Sequence, residues 1–360
     1  MSTGKQKHIL VGVLDWGLGH ATRSIPIIKC LLANQCNVSV AGNGSSLQLL
    51  KQEFPQLIFH ELPSYGITYP THRFFFLHVL TRVPRIFNVI QMERKKVQIL
   101  VEENNIDAII SDNRYGCYSD KVPSVLITHQ LNIQLPAALK WSTKWLNNLN
   151  RRLINKFSEC WVPDFHGSQM TGKLTESNMP TLKFIGTLSR FVYTDSDMED
   201  GSIVGLVSGP EPQREIFEKL LKKEFNKLNR KCWIVRGLPF QQSDEVRVGN
   251  VTFIAHASAS ALQQIINRAD IIISRSGYST LMDLHRLGKK NVIFIPTPGQ
   301  TEQEYLAHLM EAKKVAYTQS QDKLDIKYAI QKVKEYTGFD ASKHHPNLLN
   351  EAIQLLLRQI

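Results

Sequence analysis

The chain has 360 residues, of which 42% are hydrophobic and 21% are charged, a globular composition that is long enough for two domains. These values exclude a disordered or collagen-like protein, and no run approaches the ~20 apolar residues that a membrane-spanning helix needs. The formal net charge is +11, of which residues 1–190 carry +9. Such a positive surface could bind nucleic acid, anionic lipid or an anionic substrate.

The N-terminus and the cysteines indicate a cytoplasmic protein. A glycine loop at residues 15–20 follows the first apolar run, where a signal peptide would need a cleavage site. The five cysteines form no CxxC pair and leave one over in any pairing scheme. Neither a structural zinc nor a disulfide framework is therefore expected.

Short β-branched runs alternate with helical stretches from end to end, which is typical of parallel sheets with crossover helices. The predicted strands are residues 8–14, 37–41, 57–62, 107–111, 124–128, 159–162, 182–185, 203–207, 231–235, 251–254, 271–274, 291–295 and 315–317. The sequence therefore predicts an α/β fold of two doubly wound, Rossmann-like domains. The predicted divisions are a first domain at 1–190, a linker at 191–201, a second domain at 202–340, and a C-terminal helix at 341–360 that could pack back on the first domain.

The predicted linker contains a DxD pair, Asp195 and Asp197, a pattern that can hold a divalent metal. No apolar strand precedes the pair, and two carboxylates alone seldom form a site. We therefore expect no metal site.

The first strand ends in a glycine loop that is typical of a ligand-binding turn. Gly17 and Gly19 permit a tight strand-to-helix connection with close backbone approach to a ligand. Thr22 stands where a dinucleotide fingerprint has its third glycine, which disfavours nicotinamide chemistry. His20 at the helix start is a candidate base because its ordinary pKa lies near neutrality, and Asp15 is the alternative.

A buried strand, a turn of small residues and a helix follow one another at residues 271–283 and suggest an anion site. Amides at the helix start, around Ser279 and Thr280, together with the aligned peptide dipoles could hold a diphosphate. Asp283, about one turn later, could accept hydrogen bonds from two vicinal hydroxyls, or it could simply stabilise the helix dipole.

Two more loops lie where parallel strands end. After the next strand, Gln303 and Glu304 open a helix and could bind sugar hydroxyls, although Thr301 with Glu304 also satisfies a capping box. The loop at 209–214 could cover a phosphate from the opposite side.

Together, residues 203–315 resemble the donor lobe of the GT-B glycosyltransferases, most closely those that move N-acetylglucosamine from UDP to a lipid-linked acceptor in peptidoglycan synthesis. The segments Ala269–Gly277 and Gln303–Tyr305 carry the resemblance, and the N-terminal GLGHATR is similar to the glycine-histidine loops of the same superfamily. The resemblance implies two domains facing a central cleft, with an acceptor-side first domain and a donor-binding second domain. It implies a UDP-sugar as substrate, without cofactor or metal.

The resemblance also implies roles for individual residues. His20 and Asp15 are the catalytic candidates; the donor-binding candidates are Gly17, Gly19, Arg275, Ser276, Gly277, Ser279, Thr280, Asp283, Gln303 and Glu304. Two positions depart from the pattern. Residues 209–212 replace a glycine-serine-rich phosphate loop, and Glu304 stands in place of a second glutamine.

These features predict an inverting, metal-independent glycosyltransferase in which His20 deprotonates the acceptor hydroxyl. The alternative is a UDP-sugar hydrolase or epimerase, because residues 17–23 also resemble the loop of a UDP-sugar hydrolase; a non-catalytic sugar-nucleotide binding protein is a third hypothesis.

Basic and aromatic residues in the first half suggest an acceptor at a membrane. Residues 71–87 mix both kinds, with Phe74–Phe76 consecutive, and residues 135–157 carry five cations, no acid, and Trp141 and Trp145 one helical turn apart. Such segments are candidates for an anionic membrane surface, and packing within the domain is the alternative. No nucleic-acid-binding module is recognisable. We expect a lipid-linked or saccharide acceptor and peripheral attachment to the inner face of the cell membrane.

Overall fold

The computed structural model describes residues 6–66, 83–135, 137–194, 200–238, 241, 244–340 and 347–360. The described residues form two compact units, the first made of 6–66, 83–188 and 347–360 and the second of the remainder, from residue 189 to 340. Among the described residues, the chain passes from the first unit to the second after residue 188 and is back in the first unit from residue 347. The DxD pair, Phe74–Phe76 and most of residues 71–87 lie outside the described residues.

The first unit is built on a parallel sheet of seven strands in the order β3-β2-β1-β4-β5-β6-β7. The strands are β1 (His8–Val13), β2 (Asn37–Gly42), β3 (Ile58–Glu61), β4 (Ala108–Asp112), β5 (Ser124–Ile127), β6 (Glu159–Val162) and β7 (Leu182–Phe184). The helices are α1 (Leu18–Ala33), α2 (Gly44–Glu53), α3 (Val83–Glu103) and α4 (Thr143–Ile154), with 3₁₀ helices at Ala137–Ser142 and Gly172–Leu174.

The strand order of this sheet reverses beside β1, which pairs with β2 on one side and β4 on the other. Leu10 of β1 and Ile109 of β4 are buried against Val97 of α3, so burial of apolar side chains fixes the centre of the sheet. Val13 and Asp112 are register partners at the carboxyl ends of β1 and β4. In open α/β sheets ligands bind outside the carboxyl ends of the strands at such a reversal.

The second unit contains a second sheet of seven strands in the order β10-β11-β9-β8-β12-β13-β14. The strands are β8 (Ile203–Leu206), β9 (Cys232–Val235), β10 (Glu245–Val248), β11 (Val251–Ile254), β12 (Ile271–Ser274), β13 (Asn291–Phe294) and β14 (Tyr317–Thr318). The helices are α5 (Gln213–Phe225), α6 (Ala259–Arg268), α7 (Tyr278–Arg286), α8 (Thr301–Ala312) and α9 (Ile326–Lys332), with 3₁₀ helices at Gln321–Lys323 and Val333–Glu335.

The core of the second unit joins the central strands to α5. Ile203 and Ile271 are buried with Phe217 of α5, and Val333 closes the same cluster. All pairings in this sheet are parallel except the edge pair of β10 with β11. The sheet thus repeats the doubly wound scheme of the first unit, with an antiparallel strand added at one edge.

A final helix, α10 (Leu348–Leu357), packs on the first unit. The Asn34 side-chain amide, just after α1, donates a hydrogen bond to Asn350 Oδ1 at 2.9 Å, and the Gln359 amide donates to Glu159 Oε1 at 3.1 Å. These contacts tie the C-terminus of the chain to the first sheet.

The predicted fold class, α/β with two doubly wound domains, is confirmed, and each of the thirteen predicted strands is present. The described residues contain one further strand, β10, which was not predicted. No helix among them is long and apolar enough to cross a membrane. All five cysteines are free thiols.

Candidate active site

The glycine loop after β1 turns the chain sharply into α1. Gly17 has a φ of +83°, a left-handed conformation that side-chain-bearing residues rarely adopt, and no atom of the described residues lies within 4 Å of the place where a Cβ would stand. Gly19 lies in the first turn of α1. The loop is therefore tight and leaves open space at Gly17.

Asp15 is oriented towards the start of α2. Its Oδ1 accepts hydrogen bonds from Ser45 Oγ at 2.9 Å and from the Ser46 amide at 3.0 Å. A Cβ on Gly44 would lie 1.8 Å from Asp15 Oδ2, so the glycine makes this close approach possible. These contacts to the first turn of α2 give Asp15 a structural role, whereas its role as an alternative base stays a prediction.

His20, in the first turn of α1, is held in a cluster that the sequence analysis did not identify. Its Nδ1 lies 3.1 Å from Asp112 Oδ2 and 2.8 Å from Arg23 Nη2, and its side chain is 11% exposed. Arg23 Nε donates to both carboxylate oxygens of Asp112, at 3.0 and 2.9 Å, and Arg23 Nη2 also donates to Asp112 Oδ1. His129, after β5, lies 3.4 Å from Arg23 Nη1. Two histidines, an arginine and an aspartate thus meet where β1, β4 and β5 end.

Burial and charge set the protonation of this cluster. Burial lowers the pKa of His20, and the adjacent Arg23 guanidinium lowers it further, against the opposing effect of Asp112. For Asp112, burial alone would raise the pKa, but Arg23 and His20 outweigh burial and hold the pKa at about 2. At neutral pH the cluster therefore contains an ionised carboxylate and a neutral imidazole, which can exchange a proton with a ligand.

In the second unit, the turn after β12 leads into α7 through Gly277. The backbone of Gly277 is ordinary, with φ −68° and ψ 141°, and a Cβ there would meet only Thr280 Oγ1 at 4.0 Å. Neither the backbone conformation nor packing among the described residues requires a glycine here. Ser279 and Thr280 lie half-buried in the first turn of α7, so a ligand approaching Gly277 would face the amides and the positive dipole end of the helix.

Asp283 follows in the next turn of α7 and is paired with a residue that the sequence analysis did not name. Ser189 Oγ donates to Asp283 Oδ1 at 2.6 Å. Burial raises the pKa of Asp283 to about 6, although Arg190 and the Ser189 hydrogen bond act in the opposite direction. The carboxyl group is thus a strong acceptor that titrates close to neutrality.

The side chains of Arg275 and Ser276 are buried and bonded within the protein, and their roles at a diphosphate stay predictions. Arg275 is 1% exposed, donates to the carbonyl oxygen of Ile295 at 3.0 Å and to Gln321 Oε1 at 2.6 Å, and stacks on Phe217. Ser276 is fully buried and donates to the carbonyl oxygen of Gln303 at 2.7 Å. The turn between them and α7 remains the accessible part of the predicted anion site.

Gln303 and Glu304 hold the loop in front of α8. Gln303 Oε1 accepts from the Thr297 amide, and Glu304 Oε1 accepts from the Gly299 amide, both at 2.9 Å. The predicted capping box requires Thr301 at the cap position. In the structure Gln300 occupies that position and Thr301 is the first residue of α8, so Thr301 is not the cap. One oxygen of each side chain is thus used structurally, and the sugar-binding roles of the two residues stay predictions.

The loop after β8 is stabilised by ion pairs. Arg214, at the start of α5, pairs with Glu211 and with Glu218. Gly209 has a φ of +101° and open space around its Cβ position. Among the described residues, no group of three His, Cys, Asp or Glu side chains could hold a metal ion.

Comparisons with known proteins agree with this architecture. Residues 214–350 match the model of the glycosyltransferase family 28 C-terminal domain. No curated protein matches the chain by sequence. Several solved structures are similar over nearly the whole chain. Their sequence identities to this chain are so low that the similarity shows the fold and nothing more.

One similar structure is that of CalG4, the calicheamicin glycosyltransferase, with a TM-score of 0.62, 12% identity, and coverage of 99% of this chain and 94% of that one. MurG from Acinetobacter baumannii has a TM-score of 0.59, 12% identity, and coverage of 98% and 99%. The glycosyltransferase VinC, solved in complex with dTDP, has a TM-score of 0.61, 13% identity, and coverage of 98% of both chains. The predicted resemblance is therefore confirmed: residues 214–350 match the glycosyltransferase family 28 C-terminal domain, and the chain has the fold of the GT-B glycosyltransferases.

Proposed function

We propose that this protein transfers a sugar from a UDP-sugar, with N-acetylglucosamine as the first candidate, to an acceptor hydroxyl with inversion and without a metal. The observation that carries the proposal is the start of α7 in the family 28 domain. There Gly277 leaves open space in front of a helix N-terminus. The carboxyl group of Asp283, which can accept hydrogen bonds, follows in the next turn of the helix. Amides and a helix dipole suit a diphosphate, and a carboxylate suits the ribose hydroxyls.

In this proposal His20 is the general base. Its imidazole is neutral near pH 7, is 11% exposed, and lies at the carboxyl end of β1 beside the ionised Asp112. The carboxylate would stabilise the imidazolium that forms when His20 takes the proton of the acceptor hydroxyl. The fixed field at the start of α7 would stabilise the departing diphosphate, so that no metal is needed for leaving-group charge.

Nucleotide titration is the first test. Isothermal calorimetry of the purified protein with UDP, GDP and dTDP should show the tightest binding for UDP, and a clear preference for either other nucleotide refutes the UDP assignment. Because VinC was solved with dTDP, that arm of the titration is essential. Gly277→Val should weaken UDP binding, since the branched side chain fills the open space, whereas Gly277→Ala, with its smaller side chain, should weaken it less.

A panel of UDP-sugars without acceptor separates transfer from the alternative activities. Slow release of free sugar supports a transferase, while fast stoichiometric release identifies a UDP-sugar hydrolase, and an altered sugar on UDP identifies an epimerase. Determining the anomeric configuration of the product tests inversion. Full activity after exhaustive chelation tests metal independence.

We also propose that the acceptor is lipid-linked and that the first unit attaches to an anionic membrane surface. Trp141, in the 3₁₀ helix before α4, is 81% exposed, and Trp145, in the first turn of α4, is 57% exposed. The cations around them are also exposed: Lys140, Lys144, Arg151, Arg152 and Lys156. Exposed indole rings insert at a lipid interface, and each cation near an anionic surface contributes about 1 kcal/mol.

Liposome flotation tests the membrane proposal. The protein should float with anionic vesicles at low salt but not with neutral vesicles, and Trp141→Ser with Trp145→Ser should abolish flotation. The matched control is Ile58→Ser, which removes another exposed apolar side chain of the same unit. A protein that ignores anionic vesicles at low salt would make a soluble saccharide the better acceptor.

A further inference from the structure

The His20 cluster contains one contact that a simple histidine–aspartate pair would not have. Arg23 Nη2 lies 2.8 Å from His20 Nδ1, and the Arg23 side chain is 2% exposed. A guanidinium group has five N–H donors and no acceptor. A hydrogen bond at this contact therefore requires a lone pair, and not a proton, on His20 Nδ1.

Asp112 competes for the same nitrogen but is already engaged. Its Oδ2 lies 3.1 Å from His20 Nδ1 and could accept an Nδ1–H. The same carboxylate accepts from Arg23 Nε at both oxygens and from Arg23 Nη2. The shorter contact is the one from Arg23, and a carboxylate that is satisfied by a buried guanidinium gains less from one more donor.

We propose that Arg23 is a positioning residue that holds neutral His20 of the ligand-free protein in the tautomer with its proton on Nε2. The inference rests on the proposed function only for its consequence in catalysis. In this tautomer Nε2 donates a hydrogen bond and has no lone pair for a proton. His20 must therefore change tautomer before it can act as a base through Nε2.

The structure offers a second acceptor for the Arg23 N–H during that change. With the Asn113 amide oriented so that its nitrogen donates to Thr128 Oγ1 at 2.8 Å, its oxygen lies 3.2 Å from Arg23 Nη2. When the N–H turns from His20 to Asn113, Nδ1 can carry a proton that faces Asp112. Nε2–H gives its proton to solvent and a solvent proton attaches to Nδ1, so the imidazole stays neutral. Arg23 thus controls whether His20 presents a donor or a base.

Imidazole NMR on the full chain tests this inference without any substrate. Long-range ¹H–¹⁵N spectra of ¹⁵N-histidine protein, recorded above the His20 titration, should show Nδ1 unprotonated and Nε2 protonated. His20→Gln identifies the signals by their loss, and the exposed His308 serves as an internal control. An Nδ1–H tautomer in the wild-type protein overturns the inference on its own.

The variant Arg23→Met sharpens the test, because it removes the donor and leaves Asp112 as the partner of Nδ1. The tautomer should reverse to Nδ1–H, and the His20 titration should move to higher pH because a cation beside the imidazole is gone. An unchanged tautomer in a folded Arg23→Met protein contradicts the inference; if this variant does not fold, the wild-type spectrum still decides. The spectra require neither a sugar donor nor an acceptor substrate. A tautomer that contradicts this inference therefore leaves the proposed transferase function untouched, and absence of UDP binding leaves the inference about the tautomer untouched.

Discussion

Each sheet has a buried arginine near the carboxyl ends of its central strands, and the two arginines differ in what neutralises them. Arg23 in the first unit is bound side-on to Asp112. Arg275 in the second unit has no acidic partner among the described residues; its Nη atoms donate to carbonyl and amide oxygens, and its pKa is lowered to about 9 by burial. It is still a cation at neutral pH.

The difference separates two kinds of chemistry. In the first unit the protein supplies its own anion, so the field around His20 is balanced and the imidazole can stay neutral and exchange protons. In the second unit a buried positive charge stands two residues before Gly277 without a matching carboxylate. Together with the helix dipole of α7, that charge favours an anionic ligand. Four expected effects, on stability, on turnover, on UDP binding and on the pH dependence of that binding, test this comparison.

The largest expected effect is on stability. Arg23→Met leaves Asp112 buried without its cation, and breaking a buried ion pair in this way costs about 3–5 kcal/mol in the free energy of unfolding. Arg275→Met leaves only neutral acceptors unpaired, for which we expect roughly 1–3 kcal/mol. Urea unfolding of the two variants measures both values. Equal losses would show that the two arginines are not neutralised differently.

The next effect is on turnover. His20→Ala should lower kcat by about 10²-fold or more with little change in UDP affinity, the usual scale for loss of a general base. Steady-state kinetics and UDP calorimetry on the same preparation separate the two quantities. Asp15→Asn is the comparison variant: Asp15 is the alternative base, but its bond to the Ser46 amide leads us to expect that the substitution affects stability more than chemistry. If His20→Ala retains most activity while Asp15→Asn loses it, the base has been misassigned.

A third effect is confined to nucleotide binding. Asp283→Ala should weaken UDP binding by roughly 1–3 kcal/mol, the range for losing hydrogen bonds to a charged group. Ser189→Ala, which removes a hydrogen bond to Asp283 but keeps the carboxylate, should have the smaller effect. Calorimetry measures both variants. An unchanged dissociation constant for Asp283→Ala would leave Asp283 as a residue that serves only α7.

The fold was predictable because its strands are local, apolar and regularly spaced. The strand that was not predicted, β10, has the sequence Glu245-Val-Arg-Val248 and is exposed along its whole length, so no buried run marks it. The glycine loop before His20 and the turn before α7 were also recognisable, since each lies within a few consecutive residues.

The partners of the site residues could not be predicted in the same way. Asp112 lies 92 residues after His20, and the two meet only because β4 is inserted beside β1. Neighbouring parallel strands end at the same edge of the sheet, so their last residues lie close together. Once the strand order is known, this rule identifies Asp112 as a neighbour of the loop that follows β1. The burial of Arg275 could not be predicted either, because its position beside a predicted anion site says nothing about how far its side chain is exposed.

The smallest expected effect is the pH dependence of UDP binding. It depends on Asp283, which the sequence identified, and on the raised pKa of its carboxyl group, which the sequence could not predict. Burial raises the pKa of Asp283 to about 6, above the ordinary value near 4, so the carboxyl group takes up a proton as the pH falls through 6. A protonated carboxyl accepts hydrogen bonds more weakly than a carboxylate, and UDP affinity should fall severalfold between pH 7 and pH 5. The sign for stability is opposite: between about pH 4 and pH 6 the folded protein binds the extra proton, so the contribution of Asp283 to stability decreases as the pH rises. Calorimetric titrations across this range, with Asp283→Asn as the variant that cannot titrate, separate Asp283 from the phosphate, which also protonates near pH 6. If Asp283→Asn shows the same pH dependence as the wild type, the titrating group is the ligand and not the protein.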